Sequence, residues 1–259
     1  MGTVVIERQG GIVTVTLNKP ERRNALDIPM WQAMTALFEE IRGAVSAADG
    51  DRVLVLTGAG TSFCAGGDLS GGQEPGSGGE SALEAMRRTV NDFCLGLFHL
   101  PIPTIAAVEG AAAGAGANLA FACDLVVAGD SARFSEIFIR RALPVDSGGS
   151  WLLPRLVGLQ KAKELAFFGD WVGAADAAAL GLVGRVVPEG RALESAQEWA
   201  VRLAKAPRTA LRHSKQNLNA AFEIDLQASL DQEALSIFEC TQAPEFAEAV
   251  AALFAKQKF

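Results

Sequence analysis

Two short apolar runs, residues 53–57 and 104–108, each lead into a segment with few bulky side chains. The first is followed by Phe63-Cys64-Ala65-Gly66-Gly67-Asp68-Leu69, the second by Glu109-Gly110-Ala111-Ala112-Ala113-Gly114-Ala115-Gly116-Ala117-Asn118. Continuous apolar runs of this length read as strands buried on both faces, so further layers must cover the sheet on either side. The segments after them read as Gly-rich turns entering helices. Such a turn lets backbone N–H groups approach a ligand closely, and a helix N-terminus favours negative charge there. Two of these corners in one chain constrain it to an α/β fold in which two loops can hold one oxyanion. Either loop taken alone is explained equally well as a tight turn packed with small residues. Gly58-Ala59-Gly60 also follows a strand, which raises a dinucleotide-binding fingerprint. The third glycine of that pattern is replaced by Phe63, and a Gly/Ser stretch lies where the strand with the ribose-binding acid should arise. Both features argue against dinucleotide binding.

The rest of the chain extends the same architecture. Residues 4–7 and 12–17, parted by Gly10-Gly11, read as a hairpin. From Asp27 to about residue 48, Ile28, Trp31, Met34, Leu37, Phe38, Ile41 and Val45 recur at helical spacing, and Asp27 with Pro29 marks the N-cap and first turn. Hairpin, helix and strand together make a β-β-α unit. Residues 70–81 have no apolar anchor and read as a mobile loop. A helix is expected over 83–100, broken by Pro101 and Pro103, then a Gly/Ala loop, a helix over 114–123 and strands at 124–128 and 132–134. Beyond Pro144, segments 150–157, 161–168 and 174–180 are helical, one more strand falls at 183–187, and four segments after Pro188 read as helix. The expectation is an α/β core over residues 1–195 and a helical region over 196–259.

A formal net charge of −7 offers no basic field for nucleic acid, so a polyanionic ligand needs a local pocket. Glu7 and Arg8 stand where a secretory signal requires an apolar core. The weakly polar stretch 110–129 is mostly Ala and Gly with Asn118 and Asp124 inside it, which is poor for a membrane span. A cytoplasmic protein with neither membrane nor nucleic-acid partner is expected. Cys64, Cys94, Cys123 and Cys240 form no C-x-x-C pair, and His99 and His213 have no Cys or His neighbour at ligand spacing, so no metal site is expected.

Several motifs occur in a fixed order: Asn18-Lys19-Pro20 with Arg23-Asn24-Ala25-Leu26, the Phe63 to Leu69 segment, and Pro103-Thr104-Ile105-Ala106-Ala107-Val108-Glu109-Gly110. Ala122-Cys123-Asp124, Gly148-Gly149-Ser150 with Leu153-Pro154-Arg155-Leu156-Val157-Gly158, and Ala178 with Leu180-Gly181-Leu182-Val183 follow. Each is weak alone. As an ordered set over essentially the whole chain they resemble the crotonase superfamily, the enoyl-CoA hydratase and isomerase family. The resemblance implies a crotonase-like spiral of β-β-α units with a C-terminal helical trimerisation region, assembled as a homotrimer or hexamer. By position, the N–H groups of Gly67 and Ala115 would form an oxyanion hole for an acyl-CoA thioester carbonyl. Most relatives carry Gly where this chain has Ala115, which keeps the donor and adds a methyl group. Arg22, Arg23, Ala25, Leu26, Ala65, Gly67, Asp68 and Leu69, with Gly114 and Ala115, resemble residues that contact CoA. Lys256 matches a C-terminal lysine that reaches CoA bound to a neighbouring subunit. Read singly, Arg22, Arg23 and Lys256 are equally well solvated charges, and Asp68 fits better as fixing the turn than as touching substrate. The CoA thioester enters as substrate, with no cofactor and no metal.

The reaction depends on carboxylates. Hydratases of this family use two glutamates to position and activate water, and the matching positions here are Asn118 and Phe138. General acid–base groups contribute about 10²–10⁴ each, so their loss argues against efficient hydration. Glu136 stands two residues before Phe138, but on a helix that step rotates it by about 200° onto another face, which assigns it a structural role. Asp146, in Leu143-Pro144-Val145-Asp146-Ser147-Gly148-Gly149, reads as a helix N-cap. Dienoyl-CoA isomerases and ring-1,2-epoxyphenylacetyl-CoA isomerases of the superfamily have a catalytic Asp at this position, and the resemblance makes Asp146 the proton-transfer group. The expected activity is isomerisation of an unsaturated or ring-epoxide acyl-CoA through a thioester enolate, carried by Asp146, Gly67 and Ala115. The alternatives are an enoyl-CoA hydratase, which the missing glutamates oppose, and an idle acyl-CoA-binding scaffold, which Asp146 opposes.

Overall fold

A computed structural model describes residues 2–45, 47, 50–68, 83–84 and 87–255. The loop expected at 70–81, Leu69 and Lys256 lie outside the described residues. The strands are β1 (Val4–Gln9), β2 (Ile12–Leu17), β3 (Val53–Gly58), β4 (Ser62–Cys64), β5 (Thr104–Val108), β6 (Ala111–Ala113), β7 (Leu125–Gly129), β8 (Arg133–Ser135), β9 (Val172–Gly173) and β10 (Arg185–Val187). The α-helices are α1 (Ile28–Gly43), α2 (Asp92–Phe98), α3 (Ala115–Phe121), α4 (Gly149–Val157), α5 (Leu159–Phe168), α6 (Ala174–Ala179), α7 (Ala192–Ala204), α8 (Arg208–Ala220), α9 (Leu226–Gln242) and α10 (Pro244–Phe254).

The hairpin β1–β2 turns through Gly10 and Gly11, both at positive φ, where a side chain would be strained. From β2 onward the first sheet is parallel, in the order β1-β2-β3-β5-β7-β10. The second sheet runs β4-β6-β8-β9, parallel except for its last pair. Each turn of the chain lays one strand in the first sheet and the next in the second. Three successive turns therefore stack β3, β5 and β7 side by side, and β4, β6 and β8 likewise, which is the spiral that the resemblance implied. Residues 62–64 and 111–113, expected as loop, are strands. Three residues, all alanine in β6, carry neither alternation nor strand propensity; they extend because the stacked neighbour offers a hydrogen-bonding edge.

Alternation along the central strands explains why they read as continuously apolar. Val53, Val55, Ile105, Ala107 and Val127 pack against Ala192, Ala196 and Ala200 of α7, spaced four residues apart on one helix face. Leu54, Leu56, Ala106 and Val108 face the other way, into the core shared with Met30, Met34, Phe38 and Ile41 of α1. Burying Leu54 or Leu56 completely is worth about 1.5–3 kcal/mol each. The division expected between residues 195 and 196 falls inside α7, because this helix covers the sheet. Beyond it, only Ser236 is buried among the described residues of α8, α9 and α10.

Carboxylates hold the starts of α1 and α7. Asp27 caps α1, accepting from the Met30 N–H at 3.0 Å, and is itself gripped by Lys19 Nζ at 2.7 Å. Glu109, at the end of β5, reaches across to accept from the Ala192 N–H at 2.9 Å and so anchors α7 to the second Gly-rich corner. The helix expected over 83–100 is α2, preceded by a wider π turn at Arg87–Asn91; its Phe93 meets Trp31 of α1 edge-on at 4.5 Å. Among the described residues, no helix is long and apolar enough to cross a membrane.

Candidate active site

The first Gly-rich corner is built against the segment that follows β2. Ala65 N–H donates to the Arg23 carbonyl at 2.9 Å, Leu26 N–H to Gly66 at 2.8 Å, and Asp68 N–H to Leu26 at 2.8 Å. This short parallel ladder brings Arg23, Ala25, Leu26, Ala65, Gly67 and Asp68 together. Asn24, fully buried, locks the segment: its Nδ2 donates to the carbonyls of Ala59 (2.9 Å) and Ser62 (2.7 Å) while its Oδ1 accepts from the Lys19 N–H at 2.9 Å. Arg23 and Asn24 both sit at positive φ, a conformation Asn tolerates better than most residues. The Asp68 carboxylate lies 3.7 Å from Lys19 and 3.9 Å from the Arg22 guanidinium.

The second corner meets the first through Gly66, whose φ is +99°. A Cβ there would stand 2.8 Å from the Ala113 carbonyl and 3.7 Å from the Ala115 nitrogen, so the two loops are in contact. Gly116 packs so closely on Cys64 that no side chain fits, which seats the start of α3 on β4. Gly114 turns the chain at φ +52°, and its N–H is already given to the Ser135 carbonyl at 2.8 Å. Gly114 therefore shapes the loop and is not available as a donor. By contrast, among the described residues the Gly67 and Ala115 N–H groups have no acceptor. Two uncommitted amides in adjoining loops are what an oxyanion site requires.

Asp146 lies just before α4, and it does not cap that helix. Gly148 occupies the N-cap position, and the Asp146 carboxylate instead accepts from Ser147 Oγ at 2.7 Å. The turn is tight: Ser147 at φ +51° precedes Gly148 at φ +81°. Burial raises the Asp146 carboxyl above the usual carboxylate range, and the Ser147 hydroxyl opposes that rise. Next to the turn is a cleft of about 190 Å³ lined by Cys94, Phe98, Ala122, Ser147, Trp151 and Leu152 among others. Phe98 and Trp151 meet edge-on at 5.0 Å on its wall. Burial, reinforced by the Asp146 charge, pushes the Cys94 thiol up to about 12, which leaves it inert as a nucleophile.

Asn118, fully buried, joins this turn to Glu136. Its Nδ2 donates to the Asp146 carbonyl at 2.9 Å and to a Glu136 carboxyl oxygen at 3.3 Å. The helical geometry that would turn Glu136 away does not exist: the residue precedes a 3₁₀ turn, Ile137–Arg141, with ψ +60°, and points at α3. Burial pushes its carboxyl up to about 8, with the Asn118 hydrogen bond opposing and the Asp146 charge adding. The sequence carries one signal of this, a lone acid between Phe134-Ser135 and Ile137-Phe138. Phe138 is buried, with its ring beside Gly114. Arg22 and Arg23 remain at the surface flanking the first corner.

Comparison with known proteins agrees with this architecture. The sequence model of the family described as enoyl-CoA hydratase/isomerase matches residues 7–259. The 1,2-epoxyphenylacetyl-CoA isomerase of Escherichia coli K12 is 38% identical, over 95% of this chain and 93% of its own. The short-chain-enoyl-CoA hydratase of Clostridium acetobutylicum is 31% identical over 100% of this chain and 97% of its own. A crystal structure of an enoyl-CoA hydratase from Mycobacterium smegmatis superimposes with a TM-score of 0.91 at 31% identity, covering 100% of this chain and 98% of that one. With the stacked turns and the paired Gly-rich corners already in place, these likenesses assign the chain to the enoyl-CoA hydratase/isomerase family of the crotonase superfamily, a family of enzymes.

Proposed function

We propose that this enzyme isomerises an unsaturated or ring-epoxide acyl-CoA through a thioester enolate. The observation that carries the reading is the Asp146 carboxylate, freed from helix capping and held by Ser147 beside an apolar cleft. The family resemblance matches Asn118 and Phe138 to the two positions where hydratases carry glutamates. In the proposed step the thioester carbonyl accepts hydrogen bonds from Gly67 and Ala115. Asp146 removes a proton from C2 of a 3-enoyl thioester, and the negative charge spreads onto the carbonyl oxygen. The Asp146 carboxyl, whose proton exchanges with solvent while the enolate lasts, then protonates C4 and leaves a double bond between C2 and C3, or returns a proton to C2 and regenerates the substrate. One carboxylate is enough, since it ends the cycle as it began. The isomerase relative in Escherichia coli supports the reading.

Hydration is the second reading, favoured by the names of other relatives and by Glu136, a buried carboxyl that the spacing alone assigns to structure. The test is to incubate the protein in D₂O with 2-enoyl-, 3-enoyl- and dienoyl-CoA thioesters. Double-bond migration with deuterium entering at C2, lost by about 10²-fold or more in Asp146→Asn, is the expected result. Rapid water addition to crotonyl-CoA without migration of any substrate would replace the isomerase by the hydratase.

A trimer or hexamer belongs to the same proposal. Leu218, Phe222, Leu226 and Phe238 on or beside α8 and α9 are each more than 60% exposed in the single chain, more apolar surface than a solvated helical layer carries.

A further inference from the structure

We propose that Glu136 is a positioning residue for Asp146, acting through the Asn118 carboxamide. The inference rests on the assignment of Asp146 as the proton-transfer group. Asn118 Nδ2 lies between a Glu136 oxygen at 3.3 Å and the Asp146 carbonyl at 2.9 Å. The same carbonyl accepts from the Gly149 N–H at 2.9 Å. One donor from α3 and one from the start of α4 thus hold the peptide that carries Asp146. Gly149 can belong to this clamp only as glycine, because a Cβ would land on the Asn118 carboxamide.

Glu136 is 3% exposed and Asn118 fully buried, so water cannot replace either partner freely. Among the described residues, Glu136 Oε1 and Asn118 Oδ1 have no hydrogen-bond partner. Nor does any cation pair with Glu136 among them. Arg133 stacks on Trp171, Arg140 is paired with Asp170, Arg155 lies over Trp151, and α3 carries no charge. Asp146 is the charge that acts on Glu136, and it is of the same sign. An ionised Glu136 would be a second, uncompensated negative charge next to the base, where the enolate forms. The buried acid avoids this by keeping its proton, consistent with a carboxyl pushed up to about 8. A neutral Glu136 still accepts the Asn118 bond, so it can hold the clamp while Asp146 remains the one carboxylate that ionises.

The test uses trans-3-hexenoyl-CoA and reads isomerisation and deuterium exchange at C2 across pH 5–10 for the wild type, Glu136→Gln, Glu136→Leu and Asp146→Asn. Gln keeps the acceptor and cannot ionise; Leu removes the acceptor. The expected wild-type kcat/KM falls above a midpoint near 8. Glu136→Gln should stay within about threefold of wild-type kcat at pH 7 and lose that fall. Glu136→Leu should lower kcat about tenfold or more with KM little changed. A wild-type kcat in Glu136→Leu, or an unchanged alkaline fall in Glu136→Gln, overturns the positioning role while Asp146→Asn is still inactive. If Glu136→Leu does not fold, the Gln profile decides. Full activity in Asp146→Asn overturns the base assignment and this inference with it.

Discussion

The Ser147 hydroxyl donates to the Asp146 carboxylate at 2.7 Å from a backbone held at φ +51°, a conformation that costs a non-glycine residue about 1–2 kcal/mol. Strain of this kind persists where the surrounding structure over-determines it, and here it aims a hydrogen bond at the group with the best claim to proton transfer. The hydroxyl favours the charged carboxylate and burial disfavours it. Ser147→Ala should therefore raise the Asp146 pKa further and move the acidic limb of kcat/KM to higher pH. Ser147→Gly should shift the limb equally while melting at a higher temperature than Ser147→Ala, because glycine relieves the strain. An acidic limb at the wild-type position in both variants would show that Asp146 is not the titrating base.

Ala115 is the first residue of α3, the helix position that accepts proline best, and its N–H has no acceptor among the described residues. Ala115→Pro deletes that donor without removing a hydrogen bond of the fold. Turnover should fall by about 10²–10³ while the chain stays folded. Circular dichroism and thioester turnover, measured on the same preparation, check the pair of outcomes; a folded and fully active variant would remove Ala115 from the oxyanion hole.

Glu136 also makes stability depend on pH. Its folded pKa, about 8, lies above the ordinary 4.5, so its contribution is complete below 4.5 and is lost as pH rises through the folded value. Between pH 4.5 and 8 the loss reaches roughly 2–5 kcal/mol, since each tenfold difference in proton affinity between the folded and unfolded chain is worth about 1.4 kcal/mol. Glu136→Gln, which cannot ionise, should gain stability relative to the wild type between pH 5 and pH 8. Urea midpoints at the two pH values measure this, and an identical difference at both would mean that Glu136 does not hold a proton in the fold.

Leu226 and Phe238 of α9 are 75% and 63% exposed in the single chain. If these faces assemble subunits, Leu226→Asp with Phe238→Asp should convert a trimer or hexamer to monomer in sedimentation and lower thioester affinity with it. A wild-type protein that already sediments as a monomer would discard the assembly.

Much of the fold is legible locally because its signals are local. Asp27 and Pro29 mark the start of α1, Gly10-Gly11 the first hairpin, and the continuous apolar runs become β3 and β5 because both faces of that sheet are covered, one by α1 and the main core and the other by α7. The ordered motifs are enough to identify the family, and the Gly66-Gly67 and Ala115 corners are recognisable as loops that bare their amides. Other features have no local signature. The alanines of β6 extend only because β4 and β8 flank them. Asp146 resembles a cap from its neighbours in sequence, and only the placement of Gly148 at the N-cap releases its carboxylate. Glu136 faces away only if its segment is helical, whereas a 3₁₀ turn beginning one residue later leaves it directed at Asn118. Residue type and spacing report what a chain segment does to itself. Which buried carboxyl meets which amide depends on how three turns of the spiral stack, and burial in that stack, not the identity of the side chain, pushes the Glu136 carboxyl up to about 8, while at Asp146, nearer the solvent, the Ser147 hydroxyl opposes the rise that burial causes.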